Sequence, residues 1–218
     1  MVRTLKTFLT AFAVFLVSAP LFAAPDHIGI RTLGGMEPIG RLSASGMDLS
    51  GGDLVMDTGY GFSTGLEIYV PLGERVEVGG GFRWQAMRPV YRSGGDSDGK
   101  FGYLPVYAAG RVVFMELDDF SLYGLAKAGY GFFRTASAFN EILDAGDGGP
   151  IVSVSGGLYL TAGMGVKYAL KDRPKWGLDL SVDAGYSFHG ARGEAADGDT
   201  HRFHYQTMTA DFGMDWRF

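Results

Sequence analysis

The 218-residue chain contains no cysteine, which excludes disulfides, thiolate metal sites and cysteine nucleophiles. Long apolar runs are also scarce. The one candidate, Phe8 to Val17, falls short of the ~20 residues a helix needs to cross a bilayer. Arg3 and Lys6 precede it, and Pro20 and the small residues Ala23 and Ala24 follow. That order predicts an export signal over residues 1–23, removed after Ala23, and a single domain over 24–218. Basic residues are outnumbered, 19 Lys and Arg against 24 Asp and Glu, and loss of Arg3 and Lys6 makes the remainder more acidic than the −5 of the whole. No nucleic-acid partner is expected from that balance. Histidine occurs only at positions 27, 189, 201 and 204, and no cofactor or metal is expected from its spacing: His201 and His204, three apart, fall on opposite faces of a strand.

What the chain has in quantity is two-residue alternation. From Met208 to Phe218 the even positions are Met208, Ala210, Phe212, Met214, Trp216 and Phe218, and the odd ones are Thr209, Asp211, Gly213, Asp215 and Arg217. A helix would mix these sets, whereas a strand puts them on opposite faces. Similar stretches predict eight strands, at about 26–36, 58–70, 75–87, 101–114, 120–134, 153–169, 176–188 and 203–218. Each is long enough to cross a bilayer at a tilt, which takes about 9–11 residues. The connections alternate: short at Pro71–Glu74, Met115–Asp119 and Lys171–Lys175, long at Glu37–Asp57, Arg88–Lys100, Thr135–Val152 and His189–Arg202. The predicted fold is all-β, an eight-stranded antiparallel up-and-down transmembrane β-barrel.

Alternation alone leaves two orientations open, because a soluble ligand-binding barrel alternates with its apolar face inside. Glycines on the polar face, aromatics near strand ends and the loop-length rhythm favour lipid outside. The period then assigns the interior. Arg31, Arg83, Arg111, Lys127, Lys167 and Arg217 point inward against Glu67, Glu77, Asp179, Asp183, Asp211 and Asp215. Unpaired buried charge is prohibitive, so these are expected to form a bonded network. That network either plugs the lumen or lines a narrow aqueous path, and the sequence leaves both open.

Candidate chemistry is thin, and no enzymatic activity is expected. Ser187 and His189 share the inward face with Asp183, but a strand puts Asp183 and His189 about 20 Å apart, too far for a triad. Gly79-Gly80-Gly81 lacks the setting of a phosphate loop. The long connections are unusually apolar: Ile39, Leu42 and Met47 in the first, and Phe139, Ile142 and Leu143 in the third, where Ser137 could cap a short helix. These are the expected mouth or ligand-contact residues, for an extracellular ligand or a small apolar solute.

The strand count and the Trp216-Arg217-Phe218 ending resemble the small eight-stranded outer-membrane barrels, the group that includes the OmpA transmembrane domain, OmpX and OmpW. Gly29-Ile30-Arg31-Thr32 followed by Pro38 and a partly apolar loop is similar to the OmpW type. The resemblance implies residence in a bacterial outer membrane, periplasmic termini, extracellular long loops, and Trp216 and Phe218 as part of the signal read by the barrel-assembly machinery. It also implies one of two roles: a structural or surface-interaction role as in OmpX, or passage of small hydrophobic molecules as in OmpW.

Overall fold

The computed structural model describes residues 27–45, 54–91, 99–136, 139, 151–173, 176–195 and 198–218. The expected signal segment and the loop residues Met47, Ile142 and Leu143 lie outside them. Eleven antiparallel strands form one sheet: β1 (Gly29–Glu37), β2 (Gly40–Ala44), β3 (Leu54–Thr58), β4 (Gly61–Pro71), β5 (Val76–Gln85), β6 (Arg88–Tyr91), β7 (Lys100–Leu117), β8 (Phe120–Thr135), β9 (Ile151–Arg173), β10 (Trp176–Ala195) and β11 (Thr200–Arg217). The sheet closes on itself where β1 meets β11, Gly29 opposite Arg217 through Met36 opposite Ala210. Backbone bonds between Ile28 and Phe218, both 3.0 Å, extend that seam.

The expectation of eight continuous strands is corrected here, because three of them are interrupted. β2 continues the line of β1 along β11, β3 pairs with β2 as β4 pairs with β1, and β6 pairs with β3 beyond the end of β5. Eleven segments, three pairs of them end to end, therefore make eight staves. The first break falls at Pro38, whose missing N–H cannot bond to β11; the others fall at Gly59-Tyr60 and Ala86-Met87. The segments expected as long loops are correspondingly shorter. Residues 189–195 and 200–202 are strand, as are 40–44 and 88–91.

Side chains alternate along β11 as the sequence requires: Phe203, Tyr205, Thr207, Thr209, Asp211 and Asp215 are buried, and Met208, Phe212 and Met214 are exposed. On the outer surface Phe62, Phe82, Trp84, Val112, Phe114, Leu160, Met164 and Val182 are exposed too, a continuous apolar band that water would not tolerate. At the height of that band the charges are inside. This arrangement is the reverse of a soluble ligand-binding barrel and fits a barrel solvated by hydrocarbon. The tight turns Leu72–Arg75 and Asp118-Asp119 lie at the end of the barrel that carries Ile28 and Phe218. Gly73 takes φ +85° and Asp118 φ 48°, the left-handed conformation such turns need. The longer connections are all at the opposite end.

Candidate functional site in the barrel lumen

The lumen is layered, and its order follows from which residues each strand turns inward at each height. Nearest the termini, Glu77 on β5 takes Lys167 from β9 at 2.8 Å and Arg111 from β7 at 3.1 Å. Arg111 also reaches Asp215 on β11 at 2.8 Å, and Arg217 binds Asp179 at 2.9 Å. The pocket between these groups has a volume of about 10 Å³, room for no more than one water.

The next layer is built on Glu67 of β4, fully buried at the centre of the barrel. Lys127 lies 2.6 Å from one carboxylate oxygen, and Arg31 and Arg111 lie 3.5 Å from the other. Tyr107 and Tyr69 donate hydroxyl bonds to the same carboxylate, at 2.7 and 2.6 Å. Arg111 lies over the Tyr69 ring, 3.8 Å from its centroid. Arg31 in turn binds Asp183 at 2.8 Å and Ser181 at 2.8 Å, and Tyr123 donates to Asp183. Above them Arg83 makes a two-pronged bond to Asp211 and rests on Ser63. All twelve charges predicted to face inward are thus in the lumen, each in at least one ion pair.

Sequence reasoning missed one further pair. Glu37 and Arg88, assigned to loops, are buried and 2.6 Å apart, with Gln85 and Tyr205 also bonded to the Glu37 carboxylate. They add one charge of each sign, so the interior stays balanced. The tyrosines that finish the network were missed as well, since a tyrosine on a strand reads equally as a lipid-facing aromatic.

Beyond this layer the lumen changes character. Phe101, Tyr103, Phe133, Phe203 and Tyr205 pack on one another, some stacked and some edge to face, with centroids 4.7–6.4 Å apart, together with Leu42, Met56, Val90 and Ile151. Phe139 enters this cluster from the connection after β8, fully buried, 5.9 Å from Phe101 and 5.8 Å from Phe133. Of the expected mouth residues, Leu42 and Phe139 are therefore brought together inside, while Ile39 is exposed on the outer surface. The upper interior is apolar, where a polar interior was expected throughout. Ser187 bonds to Thr161 at 2.8 Å, and His189 sits among Tyr103, Tyr159 and Tyr205. Neither contact is that of a nucleophile with its base. Among the described residues no group of three His, Asp or Glu is placed to hold a metal.

The wall has an irregular seam beside this apolar section. β5 pairs with β7 from Val76–Val112 to Phe82–Val106, and pairing resumes only at Arg88–Phe101 on β6. Pro105 lies in the gap and offers no N–H. Side chains satisfy the neighbouring backbone groups instead: the Gln85 carboxamide accepts from Tyr103 N at 3.1 Å, and Arg134 donates to the Gln85 carbonyl at 2.7 Å.

A closed antiparallel barrel with an apolar exterior and an ion-paired core defines a small transmembrane β-barrel of the outer-membrane type. Solved structures agree on that fold. The chain is similar to the outer membrane protein OprG from Pseudomonas aeruginosa, with 14% identity over 88% of this chain and 95% of that one and a TM-score of 0.57. It is also similar to the outer membrane protein AlkL determined in DMPC lipid bilayers, with 12% identity over 88% and 90% of the two chains and a TM-score of 0.50. No family model matches the sequence, and no curated protein sequence matches it.

Proposed function

We propose that this protein is a non-enzymatic outer-membrane barrel that takes small apolar molecules in at its long-loop end and releases them sideways into the bilayer. The termini are then periplasmic, the long loops extracellular, and Trp216 to Phe218 the segment the assembly machinery reads. The observation that carries the reading is the division of the lumen: an apolar section packed with aromatic rings, ending on a floor of bonded charges. A solute that enters the chamber cannot continue through Glu67, Arg31 and Arg111 without separating buried ion pairs, which costs several kcal/mol, about 3–5 for a single pair. The seam between Gln85 and Tyr103 is held by side chains rather than by a backbone ladder, a weak part of the wall at that height.

The sealed floor taken alone also suits the structural or surface-interaction role. The apolar upper lumen favours transport, because an apolar solute entering there meets aromatic rings and not bonded charges. The test is uptake of the apolar dye N-phenyl-1-naphthylamine into vesicles whose outer leaflet is lipopolysaccharide. The protein should speed uptake several-fold while planar bilayers show no ion conductance. Uptake equal to protein-free vesicles would leave the surface role standing.

A further inference from the structure

On the outer wall, at the end away from the termini, two arginines face each other. Arg192 near the end of β10 is the direct cross-strand partner of Arg202 near the start of β11. Both are exposed, and neither makes an ion pair among the described residues. Directly opposed positions on an antiparallel pair hold their Cβ atoms about 4.5–5.5 Å apart, and like charges there are destabilising. Glu194, the next residue on that face of β10, lies opposite Thr200 and pairs with neither arginine. By contrast, the exposed Arg41 on β2 has Asp57 at 3.8 Å.

Below the pair the wall becomes apolar. Tyr186 and Phe188 face outward on β10, and Gly190 is the one position between Phe188 and Arg192 on that face, so no side chain of this strand separates the arginines from the apolar band. Tyr186 donates to Gln206 at 2.7 Å along the edge of the band. At Tyr186 and Phe188 the wall dips into an outward-facing groove of about 580 Å³, lined almost wholly by apolar groups. Its floor follows the sheet register. Ala162, Ala126 and Gly110 continue the row of Tyr186 across β9, β8 and β7, and Ala128 and Ala108 lie in the row of Phe188.

We propose that Arg192, Arg202 and this groove seat one molecule of a phosphorylated, multiply acylated lipid of the outer leaflet, the lipid A portion of lipopolysaccharide. The phosphate bridges the two guanidinium groups, whose planar forks suit its oxygens, and an acyl chain lies in the groove. Four residues, about 13 Å along the strand, separate Arg192 from Phe188, a span covered by the sugar that joins phosphate to acyl chain in such a lipid. Charge selects the class. A phosphomonoester carries about −1.5 to −2 at pH 7, which two arginines neutralise, whereas the phosphodiester of a phospholipid carries a single charge.

The experiment is native mass spectrometry of the full barrel refolded in an uncharged maltoside detergent, titrated with diphosphoryl lipid A, dimyristoylphosphatidylglycerol or inorganic phosphate. The expected result is one retained lipid A, held about tenfold more tightly than phosphatidylglycerol and not displaced by excess inorganic phosphate. Arg192→Gln with Arg202→Gln should weaken lipid A binding about ten- to thirtyfold. Lys100→Gln, which removes an exposed cation three and four staves away from the pair, should change nothing. Ala128→Phe fills the groove from its exposed side and should weaken binding about fivefold. The arginine variant is expected to refold at least as well as the unaltered protein, because it relieves the cross-strand repulsion. Its urea midpoint should be the higher of the two without lipid A and the lower with it. Equal retention of lipid A by the arginine variant, equal binding of phosphatidylglycerol, displacement by inorganic phosphate or an unchanged affinity in Ala128→Phe overturns the site. Binding is read in micelles, so the outcome is independent of whether solutes cross the barrel.

Discussion

Arg83 on β5 grips Asp211 on β11 with both guanidinium nitrogens, at 3.0 and 2.5 Å, across the two staves that separate them in the ring. The reach is possible because the intervening positions are small. Ser63 accepts from Arg83, and at Gly35 a Cβ would collide with both partners. The pair thus ties strands that share no backbone bonds, and the ionic floor braces the barrel across its diameter as well as closing it.

Removing one partner should therefore destabilise the barrel more than removing both. Asp211→Ala leaves the buried Arg83 with only the longer 3.8 Å contact to Glu37 and should lower unfolding free energy by about 3 kcal/mol. Arg83→Met with Asp211→Leu replaces the pair by apolar volume and should cost clearly less. Urea titration of the refolded protein in micelles, followed by tryptophan fluorescence and heat-modifiable gel mobility, distinguishes the two. Equal losses would mean that the pair's charge is not what matters.

Glu67 neutralises Arg31, Arg111 and Lys127 together, so its removal should admit water and counter-ions to the floor. Glu67→Ala is expected to give small, anion-preferring openings in planar bilayers where the unaltered protein is silent, and Asp183→Ala, which leaves Arg31 with Glu67 and Asp215, smaller ones. Silence in both variants would locate the barrier elsewhere, in the aromatic chamber.

The two-residue period made the faces readable, because strand geometry leaves side chains no other choice, and Arg31 to Arg217 were legible as inward charges on that ground alone. Which cation meets which anion was not: Arg83 and Asp211 are 128 positions apart and meet through the stagger of the closed sheet, which no local pattern encodes. Glu37 keeps the parity of Arg31, Leu33 and Gly35, so following the alternation up to Pro38 would have found it. Arg88 breaks parity with Arg83 and Gln85, because the interruption at Ala86-Met87 shifts the phase. The apolar chamber was hidden for a different reason. Where Leu42, Phe101 and Phe203 point inward, both faces of the wall are apolar or mixed, and alternation no longer tells inside from outside.

Phe139 is the chamber's own occupant, enclosed by Phe101 and Phe133 and carried on a connection rather than on a stave. Phe139→Ala should raise the initial rate of dye uptake several-fold and leave the ionic floor silent, since the substitution removes apolar volume at the entrance and touches no charge. Core truncations of this size cost about 3–5 kcal/mol in a packed interior. Phe139 is fully buried in the aromatic cluster, so a loss toward that range, read as a clearly lower urea midpoint, is the accompanying expectation. Unchanged uptake with a large loss of stability would make Phe139 a structural plug.

The seam gives the most direct test of sideways release. Continuing the register of Phe82 with Val106 places Trp84 opposite Leu104 on the outer face, one residue beyond Pro105. The chain has no cysteine of its own, so Trp84→Cys with Leu104→Cys introduces a single, unambiguous cross-link. The gap must part for a solute to leave toward lipid. A disulfide there holds β5 to β7 where the backbone ladder is missing, without altering the chamber or its mouth. Oxidised protein should lose the dye-uptake advantage and regain it on reduction. If the oxidised barrel carries dye as fast as the reduced one, solutes do not leave between Gln85 and Tyr103, and another part of the wall or the floor itself must be the way out.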